Sequence, residues 1–407
     1  MANPKNIPVV GIICEFNPLH NGHAYLLSHA RALVGDEGCV VCVMSGRSTQ
    51  RGELAVADPY LRGQTAILAG ADLVVELPFP WCSGSAQTFA QAGVHILHGL
   101  GVDTILFGSE CGDITLLSAV AELTSSSAFV EIYKALCCAG IGTTVAYMQA
   151  IQTLAQERGM TLPQGFPSSN DLLGIAYLSF TQPLGMSAEV VTRRGQGYND
   201  KILQNAEYPS ATALRILMHH AKEDPISLSA MLDGCMPSGC LDVLIAGVEA
   251  ERVPVSGERL LPLYHAYFRL LTQGVAEVAE LPYDLCQHLK KVASLSSTPE
   301  TFWGMAQTKH YTEARLRRGM LYALTGVRVA DLKTMPTYTT LLAMSGRGRG
   351  YLSAVKKTAS LPMVTKPADA PEGRQKELGQ QIDGLFTLCT PHPTEQGALI
   401  KASPYVG

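Results

Sequence analysis

The chain has 407 residues, of which 47% are hydrophobic and 16% charged, and this composition excludes a disordered or fibrous protein. Its length predicts two globular domains, while the lack of a signal peptide or of any apolar run of about 18 residues predicts a cytoplasmic protein with no membrane partner. The net charge of −4 argues against a simple nucleic-acid binder, but from His288 to Lys376 the chain carries +10, which leaves −14 for the remainder.

Strands and helices alternate along the first part of the chain. Four apolar runs predict strands at Val9–Cys14, Val40–Met44, Leu73–Leu77 and Thr104–Phe107. The stretches between them predict helices at Gly22–Leu33, Pro59–Leu68 and Ser83–His98. This alternation predicts an α/β fold with a Rossmann-like, doubly wound parallel sheet. Ligands of such sheets bind beyond the carboxyl ends of the strands, so the four loops that follow these strands should share one rim.

The second half of the chain predicts a mainly α-helical domain. Its clearest helical stretches lie near Ala211–His219, Leu260–Leu271 and Glu313–Leu324. We therefore place the domain boundary after residue 215, which gives domains of residues 1–215 and 216–407. The segment from residue 352 to 385 is rich in Lys, Pro and Gly, which predicts a loosely structured chain there.

Eleven cysteines are scattered along the chain, mostly in apolar runs, which is typical of reduced, buried thiols and not of a disulfide framework. Cys39 and Cys42 have the spacing of a redox or zinc motif, but no second pair lies near them, so burial is the favoured interpretation. His219 and His220 also lack ligand partners at a suitable spacing. We therefore predict no metal site built by the protein itself.

The sequence His20-Asn21-Gly22-His23 follows the first predicted strand and begins the first predicted helix. A helix N-terminus offers free N–H groups and a positive dipole to a phosphate, and two imidazoles one turn apart add donors for charge that develops on it. Glycine between them would let a triphosphate approach the backbone. The alternative is a pair of capping or surface histidines, but the position directly after the first strand favours phosphate chemistry.

Arginines occur in three further segments of the first half. Arg51 lies in SGRSTQRGE, at residues 45–53, and is a candidate ligand for acetate, pyrophosphate or RNA, because a guanidinium meets carboxylates and phosphates in fork geometry. Arg193 and Arg194 lie in a glycine-rich basic loop suited to a triphosphate. Arg215 lies one turn into a helix that Ser210 is expected to cap. Solvated surface turns are the alternative for the first two segments, and helix capping alone is the favoured interpretation of the third.

Two neutral residues are candidates for nucleotide contact. Gly108 follows the fourth predicted strand, where the lack of a side chain would let a ribose or base pack against the backbone, although a plain turn has the same composition. Glu110, close by, could hold a ribose hydroxyl or a magnesium ion. Asn170 precedes an apolar stretch and has the composition of a helix N-cap, so capping and nucleotide contact both remain open.

A basic helix is predicted within the positively charged region. The segment TKHYTEARLRR, at residues 308–318, contains Lys309, Arg315, Arg317 and Arg318. Charge runs are often merely solvated, but the clustering against an acidic remainder favours contact with an RNA phosphate backbone. Such contacts position an RNA without selecting its sequence.

Seven sequence blocks resemble, in the same order, the bacterial tRNA(Met) cytidine acetate ligase family of the HxGH nucleotidyltransferase-like superfamily. The blocks are CEFNPLHNGH, SGRSTQRGE, GADLVVELP, LFGSE, SSNDLLGIAY, RRGQGYND and YPSATALR. They span most of residues 9–218, and weaker similarity continues to about residue 366. The chain departs from the family pattern at Pro59 and Tyr60, where Lys-Trp is usual, and at Gln87, where an acidic residue is common.

The resemblance implies a sheet of the HxGH nucleotidyltransferase type that binds ATP and acetate, followed by a helical region that binds tRNA. It implies catalytic roles for His20 and His23. The implied ATP-binding residues are Ile13, Cys14, Glu15, Phe16, Asn17, Pro18, Leu19, His20, Asn21, Gly22, His23, Gly108, Asn170 and Arg193. Possible contacts of phosphate, acetate or RNA are Arg51, Arg194 and Arg215. The expected contacts of tRNA are Lys309, Arg315, Arg317 and Arg318.

The implied reaction is an ATP-dependent ligation. Acetate attacks the α-phosphate of ATP, which is expected as its magnesium complex, and N4 of the wobble cytidine of elongator tRNA(Met) then takes the acetyl group from acetyl-adenylate. No DNA partner and no tightly bound cofactor are expected, and no general base for the second step is evident. Two other classes stay open: a small-molecule nucleotidyltransferase, which would not need the basic second half, and a non-catalytic, nucleotide-responsive RNA-binding protein, which would not need an intact HxGH motif.

Overall fold

The computed structural model describes residues 7–194, 207–221, 224–272, 277–308, 310–397 and 402–407, and a mostly parallel sheet lies at its centre. The strands are β1 (Val9–Cys14), β2 (Cys39–Ser45), β3 (Leu73–Leu77), β4 (Thr104–Ser109), β5 (Ser187–Thr192), β6 (Thr339–Met344), β7 (Met363–Val364) and β8 (Tyr405–Val406). Their order is β5-β4-β1-β2-β3-β6-β7, with β8 also paired to β6. β1 to β5 run parallel to their neighbours among themselves, whereas β6 runs antiparallel to β3.

Helices cover both faces of the sheet. They are α1 (Asn21–Val34), α2 (Pro59–Leu68), α3 (Ala86–Gly99), α4 (Ile114–Thr124), α5 (Ser127–Cys138), α6 (Thr143–Glu157), α7 (Ser169–Thr181), α8 (Ala211–His220), α9 (Pro225–Leu232), α10 (Ser238–Glu249), α11 (Leu261–Leu270), α12 (Tyr283–Leu295), α13 (Pro299–Ala306), α14 (Glu313–Thr325), α15 (Gly346–Val355) and α16 (Arg374–Leu388). Within the described ranges, none of them is both long and apolar enough to cross a bilayer.

Alternation of side chains along the strands divides the core into two halves, one on each face of the sheet. In β2, Val41 and Val43 pack into one half, whereas Val40 and Met44 pack into the other. Because both faces are covered, the central strands consist of almost continuous apolar residues, which is typical of parallel sheets. This is the physical reason why the sequence signal for these strands is strong.

The predicted fold class is confirmed. β1 and β3 have the predicted bounds, and β2 and β4 extend by one or two residues beyond the prediction. Helix α2 also has its predicted bounds, because Asp58 accepts hydrogen bonds from the backbone N–H groups of Tyr60 and Leu61 while Pro59 occupies the first helical position. Proline at this departure from the family pattern is therefore a good local start for the helix.

The sequence analysis missed the four strands β5, β6, β7 and β8 and misjudged one segment. β5 was not predicted, because it lies at the sheet edge and alternates between exposed and partly buried residues. The prediction of a loosely structured chain from residue 352 to 385 is wrong, because the end of α15, strand β7 and most of α16 lie within it. Leu378, Ile382 and Phe386 recur every fourth residue along α16 and are buried, and this helical period was obscured by the surrounding Lys and Gly.

The sheet draws strands from both halves of the chain. β6, β7 and β8 follow residue 215 and extend the sheet beyond β3. The Thr339 hydroxyl donates to the carbonyl oxygen of Glu76 at 2.6 Å, which joins the two halves at the buried end of β6. The domain boundary at residue 215 stays a prediction, and the second half, although mainly helical, also completes the sheet.

Candidate active site

A cavity of about 480 Å³ opens at the carboxyl ends of β1 and β4. Its wall combines the loops after β1 and β2 and the end of β4 with the first turns of α3, α7, α8 and α14. Three of the four predicted strand ends therefore meet at this cavity, whereas the loop after β3 is not among its described lining. Its described lining residues are Ile13, Cys14, Glu15, Phe16, His20, His23, Leu26, Gln50, Arg51, Ala86, Phe89, Phe107, Gly108, Ser169, Asn170, Leu172, Leu173, Tyr177, Arg193, Ser210, Ala211, Thr312, Glu313, Ala314 and Arg318.

The two histidines of the HxGH motif lie side by side at the start of α1. Their ring centroids are 3.8 Å apart. The Nδ1 atom of His20 accepts a hydrogen bond from the Gly22 N–H at 3.1 Å, and the Nδ1 atom of His23 accepts one from the His20 N–H at 3.3 Å. His20 is therefore also the N-cap of the helix, and capping uses Nδ1 of each ring. This leaves both Nε2 atoms as donors for a ligand.

Both imidazoles are neutral at physiological pH. Burial, followed by the positive charges of Arg193 and Arg215, lowers the pKa of His20 to about 3. Burial, followed by His20 and Arg193, holds the pKa of His23 well below its usual value. Because each Nδ1 accepts a backbone N–H, the single ring proton resides on Nε2. The motif therefore presents two preorganised neutral N–H donors beside a helix N-terminus.

Only part of the predicted ATP-binding segment faces the cavity. Ile13, Cys14, Glu15, Phe16, His20 and His23 line it, whereas Asn17, Pro18, Leu19, Asn21 and Gly22 are not among its described lining residues. The Asn17 side chain accepts the backbone N–H of Val56 at 2.7 Å, and the Asn21 side chain donates to the carbonyl oxygen of Gly234 at 2.7 Å. These two hydrogen bonds hold the segment in place. Direct contact of the five residues outside the lining with ATP stays a prediction.

Glycine at position 22 is explained by a steric requirement that the sequence analysis did not foresee. A Cβ atom at this position would lie 2.9 Å from Cε1 of the His20 ring. Glycine therefore leaves room for the imidazole that caps the helix. The prediction that Gly22 lets a triphosphate approach the backbone remains untested beside this role.

Glu110 organises the rim beyond β4. Its carboxylate accepts hydrogen bonds from the Asn170 amide at 2.5 Å and from the Ser168 hydroxyl, and it pairs with Arg193 at 3.5 Å. The capping interpretation of Asn170 is wrong, because Ser168 and Asp171 form the capping box of α7. Two predicted nucleotide contacts, Asn170 and Arg193, are thus held together by one carboxylate.

Gly108→Val is expected to raise the KM for ATP about tenfold, because a side chain at this position would press on Arg193. A Cβ atom at Gly108 would already lie 3.1 Å from Cγ of Arg193. Steady-state kinetics of ATP-dependent pyrophosphate release measures the effect. Gly304→Val in α13, where a Cβ atom meets no neighbour within 4 Å, is the control. An unchanged KM in Gly108→Val would exclude this part of the rim from the ATP site.

The loop after β2 contains two arginines, one buried in the core and one at the cavity. Arg47 is buried, and its guanidinium pairs with Glu76 at 2.8 Å and with Asp383 of α16. It is therefore occupied in tying the loop to the second half of the chain. Gln50 and Arg51 line the cavity, so the structure brings the candidate Arg51 to the predicted rim.

A chain of polar contacts connects β1 to α14 across the cavity wall. Glu15 Oε1 accepts the Gln50 N–H at 2.7 Å, and the Gln50 carbonyl oxygen accepts from Arg318 Nη1 at 3.4 Å. Arg318 also pairs with Glu280 at 3.3 Å and is only 9% exposed. Sequence reasoning assigned Arg318 to tRNA binding and missed that α14 lines the cavity. No local pattern could have shown this, because Gln50 and Arg318 are 268 residues apart.

The arginines of the predicted basic helix, α14, are paired with carboxylates. Arg315 pairs with Glu280 at 3.4 Å, and Arg317 pairs with Glu313 at 2.6 Å. Lys309 lies outside the described residues. The role of this segment in tRNA binding stays a prediction, which now requires an RNA phosphate to exchange with these carboxylates.

Arg194 and Arg215 lie outside the described lining of the cavity. The Arg194 guanidinium stacks over the Tyr25 ring at 4.7 Å from its centroid. Arg215 donates from Nη1 to the carbonyl oxygen of Asn17 at 2.9 Å. Arg215 therefore supports the HxGH segment from α8, and contact of either arginine with phosphate, acetate or RNA stays a prediction.

Apolar side chains that the sequence analysis missed also line the cavity. They include Phe89, Phe107, Leu172 and Leu173. Such aromatic and aliphatic surfaces are typical of small-molecule sites and suit a nucleobase. Their only sequence signal is their position in β4 and near the starts of α3 and α7, which core residues share.

The described ranges contain no group of three or more His, Cys, Asp or Glu side chains placed to hold a metal ion. Cys39 and Cys42 are free thiols buried on opposite faces of β2, in different halves of the core, so they do not form one ligand pair. A magnesium ion bound to ATP takes its ligands largely from phosphate oxygens and water. The residues present therefore fit an ion that arrives with the nucleotide.

Similar sequences cover almost the whole chain. The family described as HIGH Nucleotidyl Transferase matches residues 7–398. The tRNA(Met) cytidine acetate ligase of Acetivibrio thermocellus is 31% identical over 401 residues, which cover 95% of this chain and 96% of that protein. The protein of the same name from Streptococcus thermophilus strain LMG 18311 is 33% identical over 397 residues, with coverage of 95% and 97%.

Solved structures share the fold over the same extent. The apo crystal structure of Thermotoga maritima TmcAL has 25% identity and a TM-score of 0.88, and it covers 98% of this chain and 99% of that chain. A second form of TmcAL, bound with alpha-thio ATP, has 25% identity, a TM-score of 0.86 and the same coverage. With its HxGH histidines at the carboxyl end of β1, this chain belongs to the tRNA(Met) cytidine acetate ligase family of HIGH nucleotidyl transferases.

Proposed function

We propose that this chain is an ATP-dependent ligase that activates acetate as acetyl-adenylate and acetylates N4 of the wobble cytidine of elongator tRNA(Met). The observation that carries the proposal is the pair of buried, neutral imidazoles at the start of α1, which face a cavity that α14 of the second half also lines. The names of the relatives support the reaction. Its setting is the cytoplasm, where tRNA is modified.

In the first step, an acetate oxygen attacks the α-phosphorus of ATP as the bond to the β-phosphate oxygen breaks and pyrophosphate leaves. Negative charge grows on the α-phosphate oxygens in the transition state. The Nε2–H groups of His20 and His23 and the N-terminus of α1 stabilise that charge. Each such donor contributes about 3 kcal/mol to lowering the barrier.

The nucleotide is held on the β4 side of the cavity. Arg193 and Asn170, aligned by Glu110, contact ATP, and Gly108 keeps the backbone open beside them. The structure of a relative bound with alpha-thio ATP supports ATP as the nucleotide. Magnesium arrives with the phosphates and offsets part of their charge.

In the second step, the cytidine N4 amine attacks the acetyl carbonyl and AMP leaves. The RNA approaches from the side of α14, where Arg317 stacks over the Trp303 ring at 4.6 Å from its centroid. A phosphate of the RNA can replace Glu313 as the partner of Arg317. Such phosphate contacts position the tRNA as a whole. The cavity positions the cytidine base beside the acetyl group.

The test is incubation of the purified protein with ATP, Mg²⁺, labelled acetate and total bacterial tRNA, followed by nucleoside analysis of the RNA. We expect label in N4-acetylcytidine and an equal amount of AMP. A variant with His20 and His23 both replaced by alanine is the negative control.

Other outcomes identify the alternatives. Pyrophosphate release and a stable dinucleotide without labelled RNA would favour a small-molecule nucleotidyltransferase. RNA binding without any ATP turnover would favour a non-catalytic, nucleotide-responsive RNA-binding protein. Either result would overturn the proposed function.

A further inference from the structure

The acetyl-transfer step needs a proton acceptor, and a base in the cavity wall is placed to be one. The N4 amine of cytidine is a weak nucleophile that becomes cationic as it attacks a carbonyl, so a general base at the site would accelerate the step. Such a base must be unprotonated, must have a free acceptor atom and must lie in the same cavity as the adenylate.

Most titratable groups of the described cavity wall fail one of these conditions. His20 and His23 use Nδ1 to accept backbone N–H groups and carry their protons on Nε2. Burial raises the pKa of the Cys14 thiol well above its usual value, and burial also raises the pKa of the Tyr177 hydroxyl, so both stay protonated. Glu313 pairs with a cation, Arg317, at 2.6 Å, and its side chain is 56% exposed.

Glu15 lies in the same cavity and has an acceptor atom available. It follows β1 directly and lines the same cavity as His20 and His23. Its Oε1 atom is fixed by the Gln50 N–H at 2.7 Å, which orients the carboxylate. Among the described residues no cation forms an ion pair with this carboxylate; Arg62 donates instead to the Glu15 backbone carbonyl oxygen. The second oxygen, Oε2, is therefore the acceptor available to a substrate.

The surroundings also suit Glu15 to this task. Burial raises the pKa of its carboxyl, an effect that the nearby Glu53 reinforces and that the Gln50 N–H, Arg215 and Arg62 partly oppose. A carboxylate with a raised pKa is a stronger base in its ionised form. Gln50 in turn bonds to Arg318 of α14, so the position of Glu15 is linked to the helix beside which the tRNA is proposed to bind.

We propose that Glu15 is the general base of acetyl transfer, a role that rests on the proposed function. As N4 bonds to the acetyl carbon, one N4 proton passes to Oε2 of Glu15. The bond between the acetyl carbon and the phosphate oxygen breaks, and its electron pair leaves with AMP. Solvent then takes the proton from Glu15. The first step, acetate attack on ATP, has no proton to remove and does not use this group.

The test separates the two half-reactions in Glu15→Gln, which keeps an oxygen acceptor for the Gln50 N–H. Acetate-dependent pyrophosphate release without tRNA, at saturating ATP, reports any loss of nucleotide binding in this variant, and the rate of acetyl transfer is compared with it. Single-turnover transfer from enzyme-bound acetyl-adenylate to tRNA should slow about 100-fold, the usual contribution of a general base. Glu15→Asp keeps a carboxylate, so it should retain a transfer rate that rises with pH, whereas Glu15→Gln should lose that rise.

Asp383→Asn is the matched control. Asp383 is a buried carboxylate that pairs with Arg47, in the loop that also contains Gln50, but it lies outside the described cavity lining. It should leave the ratio of the two half-reaction rates unchanged. Equal losses of both half-reactions in Glu15→Gln would overturn the assignment in favour of ATP binding or folding, as would transfer at the original rate. If the original protein forms no N4-acetylcytidine, the proposed function fails first and the role of Glu15 fails with it.

Discussion

His23→Ala is expected to lower the rate of acetyl-adenylate formation at least tenfold while leaving tRNA affinity unchanged. The substitution removes one of two neutral Nε2–H donors, and a donor of this kind is typically worth about 3 kcal/mol, or on the order of 100-fold in rate. His20 still caps α1 through the Gly22 N–H, so the helix should persist. Acetate-dependent pyrophosphate release and tRNA filter binding measure the two quantities.

The matched control for His23→Ala is His29→Ala in the same helix. His29 bonds to the carbonyl oxygen of Tyr25 at 2.9 Å and does not belong to the described cavity lining. It should keep near-normal adenylate formation. Pyrophosphate release by His23→Ala at the original rate would remove the catalytic role assigned to this histidine. Loss of thermal stability in His23→Ala but not in His29→Ala would indicate a structural role instead.

Gly52→Ala is expected to lower the free energy of unfolding by about 3 kcal/mol and to impair both half-reactions. Gly52 has a φ of +75°, which favours glycine, and a Cβ atom there would lie 2.6 Å from the backbone nitrogen of Arg318. Alanine would therefore strain the loop and push it away from α14. Denaturant unfolding followed by the two half-reaction assays measures the effect.

The variant Gly185→Ala separates the effect of backbone strain from the effect of contact with α14, which act together in Gly52→Ala. Gly185 has a similar φ of +67°, but a Cβ atom there meets nothing within 4 Å. It should lose only the smaller stability that backbone strain accounts for, about 1 kcal/mol, and keep both half-reactions. If Gly52→Ala and Gly185→Ala lost the same stability and activity, contact between the loop and α14 would not matter for the site.

The centre of the fold could be predicted because its physics is local. Strands buried on both faces are continuous apolar runs, so β1 and β3 were located to the residue. β5 has one neighbour and half-exposed residues, so its sequence resembles that of a loop. The helical period of α16 is present, but Lys and Gly between its apolar residues also suggested irregular chain.

One wall of the candidate site could be predicted, because its residues follow the ends of single strands. His20, His23 and Gly108 follow predicted strands, Arg193 was indicated by its basic loop and by the family resemblance, and the cavity brings the four together. The opposite wall depends on contacts between distant segments. The partners of Arg318 are Gln50 and Glu280, and nothing in the local sequence distinguishes this buried arginine from the partly exposed arginines beside it.

The sheet topology limits how the protein can be divided for experiments. A fragment that ends at residue 215 would keep β3 but lose β6, its antiparallel neighbour. The N–H and C=O groups along that side of β3 would become an unpaired edge of buried residue types, which can pair with another chain. Expression of the first half alone therefore carries an aggregation hazard, and truncation studies of adenylate formation should retain residues 339–344 or replace that strand with a charged edge.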